Sequence, residues 1–152
     1  PGNIVEPRPI ESIAQNLRIE PEGRKAIIPD VPTYFDYADQ HGFSGAVEMC
    51  NGSGVCRKKS GGTMCPSYMG TLDERHSTRG RGNALRLAIT GQLSGAVGEW
   101  GSGADRGSGP AWDDAETIKT LDLCLSCKAC KTECPSNVDI ARLKAEYTAQ
   151  RY

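Results

Sequence analysis

Seven cysteines are the residues of this 152-residue chain whose type and spacing could do chemistry. Four of them, Cys124, Cys127, Cys130 and Cys134, fall within eleven residues, and Pro135 follows the last. The spacing is C-x2-C-x2-C-x3-C-P. In that run three thiolates wrap one iron–sulfur cluster, and the fourth reaches towards a neighbouring one. The remaining three are Cys50, Cys56 and Cys65. Cys65-Pro66 echoes Cys134-Pro135, which suggests an internal repeat of cysteine loop plus helix with a distorted first copy.

Other chemistries suit these residues less well. A cysteine stripe on one helix face also uses spacings of 3 and 4, but four free thiols packed together would be prone to oxidation. Structural zinc sites come as two short hooks a dozen or more residues apart. A compressed run suits a cluster, which is wide enough to accept thiolates from successive turns. Cys50-x5-Cys56 alone says little, because a buried unligated cysteine is an ordinary core residue.

The odd count rules out complete disulfide pairing. Free thiols fit a reducing compartment, so the expected location is the cytoplasm, or the cytoplasmic face of a membrane. One four-thiolate cluster plus one three-thiolate site accounts for all seven. In the crossed arrangement Cys65, Cys124, Cys127 and Cys130 hold a 4Fe–4S cluster. Cys134 reaches the other way to join Cys50 and Cys56. That second site would hold a 3Fe–4S cluster, or a 4Fe–4S cluster with a non-cysteine ligand. The competing arrangement is a single cluster with Cys50 and Cys56 idle. His76 is a candidate eighth ligand, by analogy with histidine-ligated clusters. The spacing resembles, in the other order, that of the iron–sulfur subunit of succinate dehydrogenases. There a C-x5-C spacing and a Cys-Pro serve a 3Fe–4S and a 4Fe–4S cluster.

The rest of the chain must position these thiols with little apolar material. Apolar residues make up 38% and aromatics 6%, and there are 18 glycines. A bound metal would supply folding free energy that such a core lacks, so the metal-free chain is expected to be poorly folded. Net charge is −1, which gives no electrostatic footprint for nucleic acid. No apolar run approaches the roughly 20 residues that span a bilayer, and no signal peptide is visible. The chain begins at Pro1 rather than Met and reads as a piece of a longer protein. No acid–base pair, nucleophile constellation or phosphate loop marks it as catalytic by itself.

Helices between cysteine loops are the predicted pattern, so the fold class is all-α. Residues 1–40 form a Pro-rich connector, with Ala26-Ile27-Ile28 as a short strand or extended arm and 30–34 as a turn. A helix from near Gly42 carries Phe43, Ala46, Val47 and Cys50 on one stripe. The glycine-rich loop 51–54 follows. A second helix over roughly 80–90 buries Leu85, Ala88 and Ile89, capped by Ser77 or Thr78. Seven glycines between 91 and 111 make a linker. A third helix over 112–123 holds Asp113 and Asp114 in its first turn and faces Ala115, Ile118 and Leu121 inward. Ser136-Asn137-Val138-Asp139 reads as a capping box for a last helix carrying Ile140, Leu143 and Tyr147.

Two basic stretches flank the first cysteine group. Arg57, Lys58 and Lys59 read as a solvated loop that could also raise the potential of a nearby cluster. Neutralising Lys58 and Lys59 is predicted to lower that midpoint in a redox titration. Arg75, His76, Arg79, Arg81 and Arg86 read as exposed charges at a helix start, with docking to an acidic surface as the functional alternative.

Glu48-Met49-Cys50-Asn51-Gly52-Ser53-Gly54-Val55-Cys56-Arg57, Met64-Cys65-Pro66-Ser67-Tyr68 and Glu74-Arg75-His76-Ser77-Thr78-Arg79-Gly80-Arg81 resemble one family. Cys124 to Pro135 and Asn137-Val138-Asp139-Ile140-Ala141-Arg142-Leu143-Lys144 match its second half. The family is that of fused flavin and iron–sulfur dehydrogenases of the D-lactate or D-2-hydroxyglutarate dehydrogenase type, related to the glycolate oxidase iron–sulfur subunit. Pro1-Gly2-Asn3-Ile4-Val5 resembles the end of an FAD-linked oxidase C-terminal domain. The resemblance implies that 1–40 is the tail of that domain plus a connector, and that 41–152 is a helical ferredoxin-like iron–sulfur domain. It implies FAD in the absent part, oxidation of a D-2-hydroxyacid there, and single-electron relay to a quinone, cytochrome or other redox protein. The alternative from another class is a non-redox module in which metal only staples a docking surface.

Overall fold

A computed structural model describes residues 30–91 and 110–152. Ala26-Ile27-Ile28 and most of the glycine-rich linker lie outside the described residues. Six α-helices are present among them: α1 Gly42–Glu48, α2 Pro66–Thr71, α3 Thr78–Ile89, α4 Ala115–Asp122, α5 Ala129–Glu133 and α6 Ile140–Gln150. Three short 3-10 turns, at Ala38–Gln40, Val55–Arg57 and Glu74–His76, complete the regular structure. No strand occurs among the described residues, so the fold is all-α as expected.

Helix α3 is the hub, packing against α1, α4 and α6. Ser77 caps it, its extended backbone letting Oγ accept from the Gly80 amide. Leu85, Ala88 and Ile89 are almost wholly buried. They meet Val47 from α1, Leu121 from α4 and Ile140, Leu143 and Tyr147 from α6 in one core. Full burial of one such aliphatic side chain stabilises by about 1.5–3 kcal/mol.

Gly80 sits in the first turn of α3, where a Cβ would run into the Glu74 carbonyl oxygen. Alanine is the better helix former by about 1 kcal/mol. Gly80→Ala is nevertheless expected to destabilise by about 1–3 kcal/mol, because the atom in the way is backbone and cannot swing aside. A denaturation midpoint measured on the metal-loaded protein checks the sign.

Two helix starts differ from the sequence reading. Helix α4 begins at Ala115, because Asp114 is the cap and accepts from the Thr117 amide at 2.7 Å. Asp113 therefore stays outside the helix and pairs with Arg151 at 2.8 Å. Ala115 is exposed, and the inward face is Thr117, Thr120 and Leu121, with Ile118 half-buried. The last helix starts at Ile140 because Asp139, not Ser136, is the cap, accepting from the Arg142 amide at 3.0 Å. Its inward residues Ile140, Leu143 and Tyr147 are the expected ones.

Residues 34–40 join this core. Tyr37 and Gln40 are buried, and the Tyr34 and Phe35 amides donate to the buried Glu146 carboxylate at 3.1 Å. A smaller cluster of Cys56, Met64, Cys65 and Tyr68 lies beside the main core, with Cys134 packed against both.

Candidate metal centre

The site begins with backbone that must turn sharply. Helix α4 ends at Asp122, and Lys144 Nζ donates to the carbonyls of Leu121 and Cys124 at 3.0 and 2.9 Å. A cation is favourable at a helix C-terminus, and here it also fixes where the cysteine loop departs. The loop then passes through left-handed residues at Ser126 and Lys128 before α5 begins. Cys65, the cap residue of α2, is left-handed too, and Pro66 follows at the first helical position. Such non-glycine conformations cost of order 1–3 kcal/mol each and collect at functional sites. Three of the six among the described residues line one cleft.

That cleft encloses about 340 Å³, part of it open to solvent. Cys65, Cys124, Cys127 and Cys130 all line it. Two stretches far apart in sequence therefore present four thiols to one space. Cys65 and Cys130 are buried, Cys124 is half-buried and Cys127 is exposed.

The two buried thiols sit at helix N-termini. Cys65 Sγ lies 2.7 Å from Thr78 Oγ1, at the start of α3. Cys130 Sγ is met by the Ile140 and Ala141 amides, the first residues of α6. Burial pushes the Cys130 thiol up to about 11, and those two amides pull it back. Burial likewise raises Cys65, against hydrogen bonds from Thr78 and the charge of Arg81. Amide donors and helix N-termini favour thiolate over thiol, so the local polar groups are those a metal-bound sulfur requires.

The other three cysteines, Cys50, Cys56 and Cys134, lie outside the cleft lining. Cys56 accepts from the Arg79 amide at 3.4 Å, and both Cys50 and Cys56 act on the Arg79 guanidinium. Cys56 and Cys134 share the small cluster with Met64, Tyr68 and Cys65. Consecutive amides of α3, at Thr78 and Arg79, thus serve one cysteine of each group. Cys65 itself packs with Cys56 and Cys134, so the two groups adjoin at the α3 N-terminus. His76 is buried but lies outside the cleft lining. Its turn packs on α2, α3 and α4.

The basic stretches are not simply solvated. Arg57 and Arg79 both pair with Glu74, at 2.7 and 2.8 Å. Lys58 pairs with Glu133, whose other oxygen accepts from the Thr63 amide and hydroxyl at 2.5 and 2.6 Å. Gly62 turns the backbone beside this pair at φ 68°, a conformation that strains other residues. Arg81 is 3% exposed and lines the four-cysteine cleft, contrary to the expectation of an exposed charge. The reason is helical period: positions 81, 85 and 88 share the buried face of α3. That same period was the signal that could have found it.

Glu133 also sets an acid response. Lys58 first, then Thr63, holds its carboxyl at about 2, from an ordinary value of 4.5. Asp39 is likewise held at about 2 by hydrogen bonds from Arg142 and Lys131. Both folded values lie below the unfolded ones, so their stabilisation is present above about pH 4.5 and is lost as pH falls towards 2. Thermal melts across that window are expected to flatten in Glu133→Gln combined with Asp39→Asn.

Four cysteines on one cleft, with amide donors to a buried sulfur, fit an iron–sulfur cluster. Residues 49–139, which contain all seven cysteines, match the 4Fe-4S dicluster domain. The match covers more than half of the chain, and the chain belongs to that iron–sulfur family.

Among curated proteins it is similar to D-2-hydroxyglutarate dehydrogenases. The Escherichia coli K12 protein is 27% identical over 97% of this chain. The Pseudomonas putida protein is 27% identical over 64% of it, and the Pantoea ananatis protein 25% over 97%. The chain spans only 12–16% of the length of these relatives. No solved structure matches it. No helix among the described residues is long and apolar enough to cross a membrane.

Proposed function

We propose that this chain is the electron-relay segment of a larger flavin-dependent D-2-hydroxyacid dehydrogenase. The convergence of Cys65 with Cys124, Cys127 and Cys130 on one cleft carries the reading. These four would hold a 4Fe–4S cluster. Cys50, Cys56 and Cys134 would hold a second one, 3Fe–4S or 4Fe–4S with a non-cysteine ligand. When bound, such clusters accept and release one electron at a time. Residues 1–40 would be the tail of the FAD-binding domain plus a connector whose end packs on the helices, and 41–152 the iron–sulfur domain. The donor is the flavin of that domain, and the acceptor is a quinone, cytochrome or other redox protein. The proposed location is the cytoplasm, or the cytoplasmic face of a membrane.

The chain's own residues perform three tasks. The left-handed turns at Cys65, Ser126 and Lys128 aim thiolates into the cleft. The first amides of α3 and α6 donate to the buried sulfurs, which favours their charged form. Cys127 and Leu125, both exposed, leave one edge of the site close to solvent. An electron can pass there to a docked partner.

Anaerobic purification with an iron count and electron paramagnetic resonance tests the reading. About four to eight irons per chain and a reduced-state signal are expected for cysteine-ligated clusters. Zinc without a signal would instead establish the metal-stapled docking module.

A further inference from the structure

We infer that Arg81 is the internal counter-ion of the four-cysteine site, a buried cation that raises the reduction potential of the cluster held there. The inference rests on the relay reading above and adds a residue that sets its energetics.

Three observations carry it. Arg81 is 3% exposed and lines the same cleft as Cys65, Cys124, Cys127 and Cys130. Among the described residues its bonded partners are both neutral: Nε donates to the Thr120 carbonyl at 3.2 Å, and Nη2 to Ser67 Oγ at 2.8 Å. The neighbouring cations are matched instead by carboxylates. Arg57 and Arg79 share Glu74, Lys58 has Glu133, and Arg142 has Asp39 and Asp139.

A guanidinium stays charged in any protein environment. A buried charge without a counter-charge is strongly unfavourable. Arg81 therefore sits where an anion is expected, and four converging thiolates supply one. Cluster potential responds to net charge and to burial. A fixed cation in a poorly solvated wall stabilises the reduced, more negative state more than the oxidised one. Thr120 and Ser67, from α4 and α2, hold the fork in place. Arg79, on the same helix, instead faces Cys50 and Cys56 and shares Glu74 with Arg57.

The test is a potentiometric titration, followed by electron paramagnetic resonance, of the anaerobically purified and metal-loaded protein. The relevant signal is the one lost in Cys127→Ser. Arg81→Gln is expected to shift that midpoint downward, and Arg81→Lys to hold it near the wild-type value. An unchanged midpoint in a fully loaded Arg81→Gln overturns the inference. So does an equal downward shift in Arg81→Lys, which would make geometry rather than charge the cause. If Arg81→Gln does not fold, Arg81→Lys decides: a retained midpoint supports the counter-ion role, and a fall overturns it. A wild-type protein with no cluster signal overturns the relay reading itself, and is told apart because it appears before any substitution.

Discussion

Replacing Cys65 by serine is expected to strip iron from the Cys124–Cys130 loop and to melt both halves of the module. The two segments are joined across the cleft, so the loss should not stay local. Metal binding free energy in such small domains is folding free energy, about 10–16 kcal/mol for structural zinc peptides. Whole-domain stability is only about 5–15 kcal/mol. The apolar content of 38% leaves little reserve. Cys65 is also buried beside Thr78, so the serine hydroxyl would be left in a sulfur-sized, desolvated place. Iron per chain, the reduced-state signal and helical circular dichroism should all fall together. Cys127→Ser, at an exposed position, is expected to lose its signal with a smaller loss of helix. Full iron and an unchanged signal in Cys65→Ser would show that the loop closes its cluster without the upstream cysteine.

The second large effect lies away from the cysteines. Glu146 is fully buried on α6. Its carboxylate accepts from the Tyr34 and Phe35 amides, and from Gln150 Nε2 at 2.9 Å. Gln150 in turn donates to the Pro32 carbonyl at 2.6 Å. Together they clamp residues 32–35 onto the last helix. Hydrogen bonds to a charged group contribute about 1.5–3 kcal/mol, and buried donors left unpaired cost a further 1–3. Glu146→Ala is therefore expected to destabilise by about 3 kcal/mol, and Glu146→Gln by about 1. The same change should release Tyr37, which packs in the core with Phe43 at 5.3 Å between ring centroids. Chemical denaturation of the loaded protein reads the first effect. Faster proteolysis before residue 41 reads the second. Equal stability of Glu146→Ala and wild type would show that the arm contributes nothing to the fold.

The structure also changes the meaning of the Lys58 and Lys59 substitution. Lys58 is paired with Glu133, so removing it exposes a carboxylate as well as deleting a cation. The expected fall in midpoint keeps its direction. Its cause becomes partly the freed Glu133, and Lys58→Gln with Glu133→Gln should show a smaller fall than Lys58→Gln alone.

Local signals were legible wherever a single segment carries its own physics. Leu85, Ala88 and Ile89 declare the buried face of α3 through their spacing, and Ser77 marks its start. Ile140, Leu143 and Tyr147 do the same for α6. Helix starts were less legible where two acidic residues compete. Asp113 and Asp114 are both plausible near a helix start, and the cap is the one whose carboxylate reaches the amide three residues on. Ser136 lost to Asp139 on the same geometric ground. The fate of the basic residues was not legible, since charge alone does not reveal a carboxylate brought in from elsewhere. Glu74 and Glu133 become partners of Arg57, Arg79 and Lys58 only after the chain folds back.

Composition, cysteine spacing and helical period were enough for an all-α iron–sulfur module, because each is a property of neighbouring residues. The cleft that gathers Cys65 with Cys124, Cys127 and Cys130 needs α3, α5 and α6 packed together. So do the burial of Arg81 and the Glu146 clamp. Those pairings join residues far apart in the chain. They follow from which faces exclude water together, and no local pattern records that choice.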